Sequence, residues 1–168
     1  MIKSSLTAIA ILATIVLVVG CKPAETTSSS EAPKATEAAG GAHEGWLTDF
    51  NAAMAAAKSG NKMLLADFTG SDWCPPCMSL AKNVFATDEF KKFAKENLVL
   101  LEVDFPRRKP IAEEQKKANQ ELSDKFNIEG FPTVILFNAD GKELNREVGY
   151  SGEPVNDYIN KIKSFAGK

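Results

Sequence analysis

The sequence predicts an α/β domain in which a central mixed four-stranded β-sheet is flanked by helices on both faces. Short apolar runs with the length of buried strands alternate with segments of helical periodicity. The last two predicted strands are separated only by turn residues, so they form a hairpin. The alternation of strands and helices along the chain implies a sheet covered on both faces. The hairpin makes that sheet mixed instead of purely parallel.

Composition limits the classes of function. The chain has 168 residues, of which 44% are hydrophobic, and a formal net charge of −2. This length suits one domain with accessory segments. The near-neutral charge argues against nucleic acid as a partner, because nucleic-acid-binding domains usually carry a basic face.

Residues 1–20 have the pattern of a signal peptide. A short positive start precedes an apolar run over 6–19, which is shorter than the roughly 20 residues that a membrane-spanning helix needs. The run closes with Val18-Val19-Gly20-Cys21, which resembles the lipobox of bacterial lipoproteins. That resemblance implies that Cys21 is lipidated and becomes the first mature residue. An uncleaved membrane anchor with an incidental cysteine is the alternative.

Residues 21–44 are predicted to be a flexible linker. They contain small and polar residues with almost no large apolar side chain, so they cannot bury enough surface to fold. We expect His43 to be a solvated residue of this linker. The linker would hold the domain at 45–168 off the periplasmic side of a bacterial membrane, either inner or outer.

The first half of the domain contains three predicted helices and two strands. The first helix ends at Ser59-Gly60-Asn61, and Trp46 is expected to pack with it. Strands are predicted at 63–68 and 98–103. A helix over 74–85 and a further helical segment, capped by Thr87 or Asp88 and reaching Glu96, lie between them. The first helix has one apolar face, formed by Leu47, Phe50, Met54 and Ala57.

The second half adds two helices and the hairpin. A polar loop at 106–110 precedes a helix that reaches Phe126. Strands are predicted at 133–137 and 143–148, with turn residues at 138–141 between them. A final amphipathic helix has one apolar face, formed by Val155, Tyr158, Ile159, Ile162 and Phe165.

Trp73-Cys74-Pro75-Pro76-Cys77 directly follows a buried strand and opens a helix. There the first thiol faces the unpaired N–H groups of the helix, which favour the thiolate, the nucleophile of disulfide exchange. The prolines need no N–H at a helix start and stiffen the ring. The pair therefore indicates redox chemistry.

Three alternatives to a redox pair stay open. A zinc site would need two more ligands, and only Cys21 and His43 remain, both outside the domain. Haem attachment would need a histidine where Met78 stands. A purely structural disulfide would close too small a loop to constrain much of the unfolded chain.

Two motifs carry a resemblance to a known family. Asp67-Phe68 ahead of the cysteine motif, and Gly130-Phe131-Pro132-Thr133 after it, resemble the thioredoxin family over residues 46–165. The stretches 83–85 and 98–104 are similar to the C-terminal domain of transmembrane thiol:disulfide interchange reductases. With the N-terminal pattern, the chain resembles bacterial thioredoxin-like lipoproteins.

The resemblance implies a thioredoxin fold and a role for each matching residue. Cys74 would attack a substrate disulfide and Cys77 would resolve the mixed disulfide, with no cofactor beyond this pair. Trp73 and Phe131 would lie at the substrate surface, the Phe131 backbone pairing with an extended substrate. Pro132 would follow a cis peptide bond beside the cysteines; an ordinary proline at the start of a strand is the alternative.

Asp67 matches the acid that handles the proton of the resolving thiol in the family, and burial would raise its pKa. Six residues separate Asp67 from Cys74, one more than in classical thioredoxin, and Leu100 replaces the lysine that pairs with the acid. A capping or solvent-exposed carboxylate is the alternative, because a lone buried carboxylate is rare.

The sequence therefore predicts an exported, membrane-anchored thiol–disulfide oxidoreductase that reduces protein disulfides, including those of cytochrome maturation. A membrane electron-donor reductase would re-reduce it. Two alternatives remain: an oxidase that donates disulfides, and a redox-independent copper-binding or chaperone module of the same fold. The cationic residues Arg107, Arg108 and Lys109 are interpreted as a solvated loop, and steering of acidic partners is the alternative.

Overall fold

The computed structural model describes residues 43–166. The predicted signal peptide, the lipidation site Cys21 and most of the predicted linker lie outside these residues. Ten elements follow one another: α1 (Phe50–Gly60), β1 (Met63–Thr69), α2 (Pro75–Leu80), a π-helical turn (Ala81–Phe85), α3 (Asp88–Asn97), β2 (Leu98–Asp104), α4 (Glu113–Lys125), β3 (Thr133–Phe137), β4 (Glu143–Val148) and α5 (Val155–Ala166). No helix within 43–166 is both long and apolar enough to cross a membrane.

The four strands form one sheet in the order β2-β1-β3-β4. β1 is parallel to β2, with Met63 beside Leu98, and antiparallel to β3, with Phe68 beside Thr133. β3 and β4 form the antiparallel hairpin. The predicted mixed four-stranded sheet is therefore confirmed, and β1 lies in its interior.

Apolar clusters cover both faces of the sheet, because successive residues of a strand point to opposite sides. Leu65 of β1 packs in the cluster that contains residues of α2, the π-helical turn, α3 and α5. Leu64 packs in the other cluster, with residues of α1 and α4. Helices thus flank both faces, as predicted, and β1 is buried over Leu64–Thr69.

Local hydrogen bonds set the helix ends. The Asp49 carboxylate accepts the Ala52 N–H at the start of α1, and Asn61 ends that helix in the left-handed conformation. The Thr87 hydroxyl oxygen accepts the Phe90 N–H at the start of α3. The polar residues at the predicted boundaries therefore act as caps.

The start of the domain differs from the prediction. Leu47 does not belong to the first helix; it forms a bridge to β2, with its N–H donating to the Leu100 carbonyl oxygen at 2.9 Å. The open edge of β2 has backbone groups that need such partners. Trp46 is buried ahead of α1, 5.0 Å from the Phe85 ring. His43 is half-buried with its ring 5.5 Å from Trp46, so its prediction as a solvated linker residue is wrong.

The predicted helix over 74–85 is divided. α2 ends at Leu80, and a π-helical turn continues to Phe85. A π-helical turn inserts an extra residue into the helical period, so the consecutive residues Val84 and Phe85 are both buried. Apolar periodicity alone does not distinguish this from a continuous α-helix.

Candidate active site

Cys74 and Cys77 lie just beyond the carboxyl end of β1. The Cys74 N–H donates to the Gly70 carbonyl oxygen at 2.9 Å, and the Met78 N–H donates to the Cys74 carbonyl oxygen at 3.1 Å. Cys74 therefore ends a tight turn and caps α2. The two sulfurs form a disulfide of 2.05 Å, with the Cα atoms 5.3 Å apart.

The start of α2 offers fewer backbone N–H donors than expected from the sequence. Pro75 and Pro76 occupy the first two positions of α2 and carry no N–H. The N–H of Cys77 is therefore the first one in the helix that can point toward the Cys74 sulfur. Stabilisation of a Cys74 thiolate depends on this N–H and on the dipole of the helical run.

The disulfide is almost fully buried. Cys74 and Cys77 are each only 3% exposed. Two large apolar side chains are exposed in the described part of the chain. Met78, 44% exposed, directly follows Cys77, and Val148, 66% exposed, lies beside Thr133 at the start of β3.

Trp73 joins three segments around the cysteines. Its indole N–H donates to the Phe105 carbonyl oxygen at 2.7 Å. Its ring lies edge-on to Phe131 at 5.8 Å, and the Arg107 guanidinium lies 3.6 Å from the ring centroid. A Cβ on Gly70 would approach the ring to 2.5 Å, so only glycine leaves room for this packing.

The Phe131–Pro132 peptide bond is cis, as the resemblance implied. Pro132 is buried and also directly precedes β3, so it occupies the strand-start position of the alternative interpretation. Its carbonyl oxygen accepts the Gly149 N–H at 2.7 Å. The structure thus brings Phe131 to Trp73 and ties the segment to the end of β4.

Asp67 lies within β1, not at its end, and is 3% exposed. Its Oδ1 atom has no hydrogen-bond partner within the described residues. Because the side chain is buried, the solvent-exposed alternative is wrong. Burial raises the pKa of Asp67 well above its usual value, and the nearby Glu102 and Asp104 raise it further.

The residue beside Asp67 on β2 is Glu102, not Leu100. The register places Asp67 opposite Glu102 and Leu65 opposite Leu100. Glu102 is 2% exposed. Glu102 is not among the predicted site residues, although a carboxyl inside the apolar run at 98–103 is costly to bury without a partner or a role.

Asp72 was also missed. Its carboxylate accepts the backbone N–H groups of Arg107, Arg108 and Lys109 at 3.0, 2.7 and 2.9 Å. These bonds lower the pKa of Asp72 below its usual value. The Ser71 N–H and hydroxyl both donate to Asp104, so two links join the turn before Cys74 to the segment after β2.

No group of three or more His, Cys, Asp or Glu side chains is arranged to hold a metal ion within residues 43–166. The lipidation candidate Cys21 lies outside the described residues.

Comparison with known proteins gives the same picture. The sequence profile of the family described as "Thioredoxin-like domain" matches residues 50–164. The chain is 33% identical over 150 residues to the "Disulfide bond reductase DsbH" of Chlamydia pneumoniae, covering 89% of each protein. It is 31% identical over 111 residues to the "Thiol:disulfide interchange protein DsbD" of Pasteurella multocida, covering 64% of this chain and 18% of that protein.

A solved structure entitled "DsbH Oxidoreductase" superposes with a TM-score of 0.67 at 34% identity, covering 83% of this chain and 95% of that one. The fold, the family match and the joined cysteine pair agree with these relatives. The chain belongs to the thioredoxin-like family and is a thiol–disulfide oxidoreductase.

Proposed function

We propose that this chain is a protein-disulfide reductase that works outside the cytoplasm while anchored to a membrane by Cys21. The observation that carries the reducing direction is the similarity to a disulfide bond reductase over 89% of both chains. The Cys74–Cys77 disulfide is then the spent form of the site, and the dithiol is its active form.

The reaction begins when Cys74, as a thiolate, attacks one sulfur of a substrate disulfide. That bond breaks, a bond between Cys74 and the substrate forms, and the released substrate sulfur takes up a proton. Cys77 then loses its proton and attacks the Cys74 sulfur, which releases the second substrate thiol. Two electrons pass to the substrate, and the chain is left with the disulfide.

Asp67 is proposed to accept the proton that Cys77 loses. It shares a sheet face with Leu65, and Leu65 packs in the same cluster as Leu80, one helical turn after Cys77. Its raised pKa supports this role, because a carboxyl with an ordinary pKa would be too weak a base near neutral pH. Trp73, Phe131 and Pro132 would contact the substrate.

The surroundings of the enzyme are proposed from the N-terminal pattern alone. Lipidation at Cys21 would hold the domain at the periplasmic side of a membrane. Electrons would arrive from a membrane reductase. Labelled palmitate should enter the wild type but not Cys21→Ser; an unlabelled wild type would overturn the anchor.

The reduction potential tests the direction of the reaction. Equilibration with glutathione or dithiothreitol buffers, followed by alkylation and mass measurement, gives the fraction of dithiol at each potential. A value near −270 mV, like that of thioredoxin, is expected. A value near −120 mV would identify a disulfide donor and reject the reductase.

A further inference from the structure

Three consecutive cations lie next to the turn that contains the cysteines. Arg107, Arg108 and Lys109 are all exposed. None of them forms an ion pair with a carboxylate in the part of the chain that the structure describes. The whole chain carries a net charge of −2, so this is a local positive surface and not part of a general basic character.

The backbone of this loop is fastened to the turn before Cys74. One carboxylate, Asp72, accepts all three backbone N–H groups, at 2.7 to 3.0 Å. Because the Asp72 carboxylate oxygens accept backbone N–H groups, they fix the loop without pairing with its three cationic side chains. Those side chains can therefore interact with other partners. A merely solvated loop needs no such fastening.

A second contact aligns the loop with the site. The Arg107 guanidinium lies 3.6 Å from the centroid of the Trp73 ring, and Trp73 directly precedes Cys74. Asp104, at the end of β2, accepts hydrogen bonds from the Ser71 N–H and hydroxyl. The loop that carries the positive charges is therefore held against Trp73, the residue that directly precedes Cys74.

We propose that Arg107, Arg108 and Lys109 form a docking surface for an acidic polypeptide segment next to the substrate cysteine. Charge complementarity selects this partner, because a fixed positive surface beside the site raises the rate at which negatively charged segments reach it. The inference deepens the proposed function. It rests on that function in one respect, namely that the substrate is a protein thiol or disulfide.

Two matched peptides provide the probe. Each contains one disulfide, flanked in one peptide by Asp and Glu and in the other by Asn and Gln. The second-order rate constant for exchange with the reduced protein is measured for each peptide at about 0.01 M and 1 M salt. The acidic peptide should react about tenfold faster at low salt. The two rates should converge at high salt, where the screening length falls to about 3 Å.

Variants locate the effect. Arg108→Gln should lower the ratio of the two rates by about two- to fivefold, the range for one exposed charge. Lys142→Gln is the matched control, because Lys142 lies in the β3–β4 turn at the opposite end of the sheet and should leave the ratio unchanged. Arg108→Glu should turn the preference toward a lysine-flanked peptide, which a purely structural role would not do.

The outcomes separate the two proposals. A wild-type ratio near one at low salt, or equal ratios in Arg108→Gln and Lys142→Gln proteins of matched thermal stability, would overturn the docking surface while leaving the reductase intact. If the dithiol form reduces neither peptide, the proposed reductase function is wrong. The ratio of the rates for the acidic and the neutral peptide is then measured in the opposite direction, with the disulfide form of the protein oxidising the dithiol peptides. The docking surface predicts faster reaction of the acidic peptide in that direction as well.

Discussion

Asp67 and Glu102 are neighbours on adjacent parallel strands, and each is almost fully buried. Two carboxylates cannot both be ionised at low cost in such a place, so burial and mutual repulsion favour a protonated state. The raised pKa of Asp67 follows from burial, which is the largest cause, and from the nearby charges of Glu102 and Asp104.

Asp67→Asn should change how stability depends on pH. Because the pKa of Asp67 is higher in the folded than in the unfolded state, the wild type loses stability as pH rises above about 4, up to the folded pKa. The loss is about 1.4 kcal/mol for each pH unit of that window. Urea denaturation between pH 4 and pH 8 should show that Asp67→Asn removes this loss.

The two proteins are compared by the slope of their unfolding free energy against pH. This comparison removes any pH-independent cost of burying the asparagine amide. Glu96→Gln, at an exposed position of α3, is the control and should keep the wild-type pH dependence. An unchanged pH dependence in Asp67→Asn would contradict a raised pKa for Asp67.

Glu102→Gln should lower the pKa of Asp67, because it removes the neighbouring charge that contributes to the shift. Carboxyl ¹³C NMR titration of Asp67 in the wild type and the variant measures this directly. Burial remains as the larger cause, so the pKa should fall only part of the way toward its usual value. A titration that is the same in both proteins would show that the two carboxyl groups do not interact.

At the scale of elements, the site depends on how the β1–α2 turn and the segment after β2 are joined. Trp73 donates to the Phe105 carbonyl oxygen, Ser71 donates to Asp104, and Asp72 accepts three N–H groups. These contacts hold the position from which Cys74 enters α2. They are long-range contacts, more than 30 residues apart in sequence, so neither segment alone predicts them.

Gly70→Ala should destabilise the protein by about 1–3 kcal/mol, because the new Cβ would lie 2.5 Å from the Trp73 ring and force it to move. Gly60→Ala is the matched control: it meets only the Lys62 side chain at 3.5 Å, within a helix that favours alanine. Chemical denaturation followed by tryptophan fluorescence compares them. Equal stability of the two variants would contradict the packing described for Trp73.

Asp72→Asn should destabilise the protein at neutral pH but not in acid. The pKa of Asp72 is lower in the folded state, so its contribution is present above the unfolded pKa and is lost as pH falls below about 4 through the folded pKa. Thermal melts between pH 2 and pH 7 should show the two proteins converging. Asp140→Asn, at an exposed turn, is the control. A difference in melting temperature between wild type and Asp72→Asn that stays constant from pH 2 to pH 7 would argue against the role of the Asp72 carboxylate.

At the scale of the whole molecule, local sequence patterns were sufficient to predict the four strands of the sheet. The predicted strands at 133–137 and 143–148 agree with β3 and β4, and the other two predictions end one residue early. Apolar runs of this length bounded by turn residues have few other ways to fold. The cysteine pair was also evident, because its position after a buried strand is encoded locally.

The rest depended on contacts between distant segments. The spacing of Leu47 fits a helix, but Leu47 instead forms a bridge to the free edge of β2. The importance of Glu102 comes from its register with Asp67, which only the assembled sheet sets. The polar sequence around Arg107 predicts a solvated loop, and the Asp72 carboxylate that accepts its backbone N–H groups lies 35 residues away in sequence.

The central claim is that Cys74 is the attacking sulfur and Cys77 the resolving one. Its most direct measurement is mixed-disulfide formation with a peptide disulfide, followed by mass spectrometry, in Cys77→Ser and in Cys74→Ser. We expect Cys77→Ser to accumulate the adduct on Cys74 about tenfold faster or more than Cys74→Ser forms one on Cys77. Equal rates, or a faster reaction at Cys77, would contradict the account.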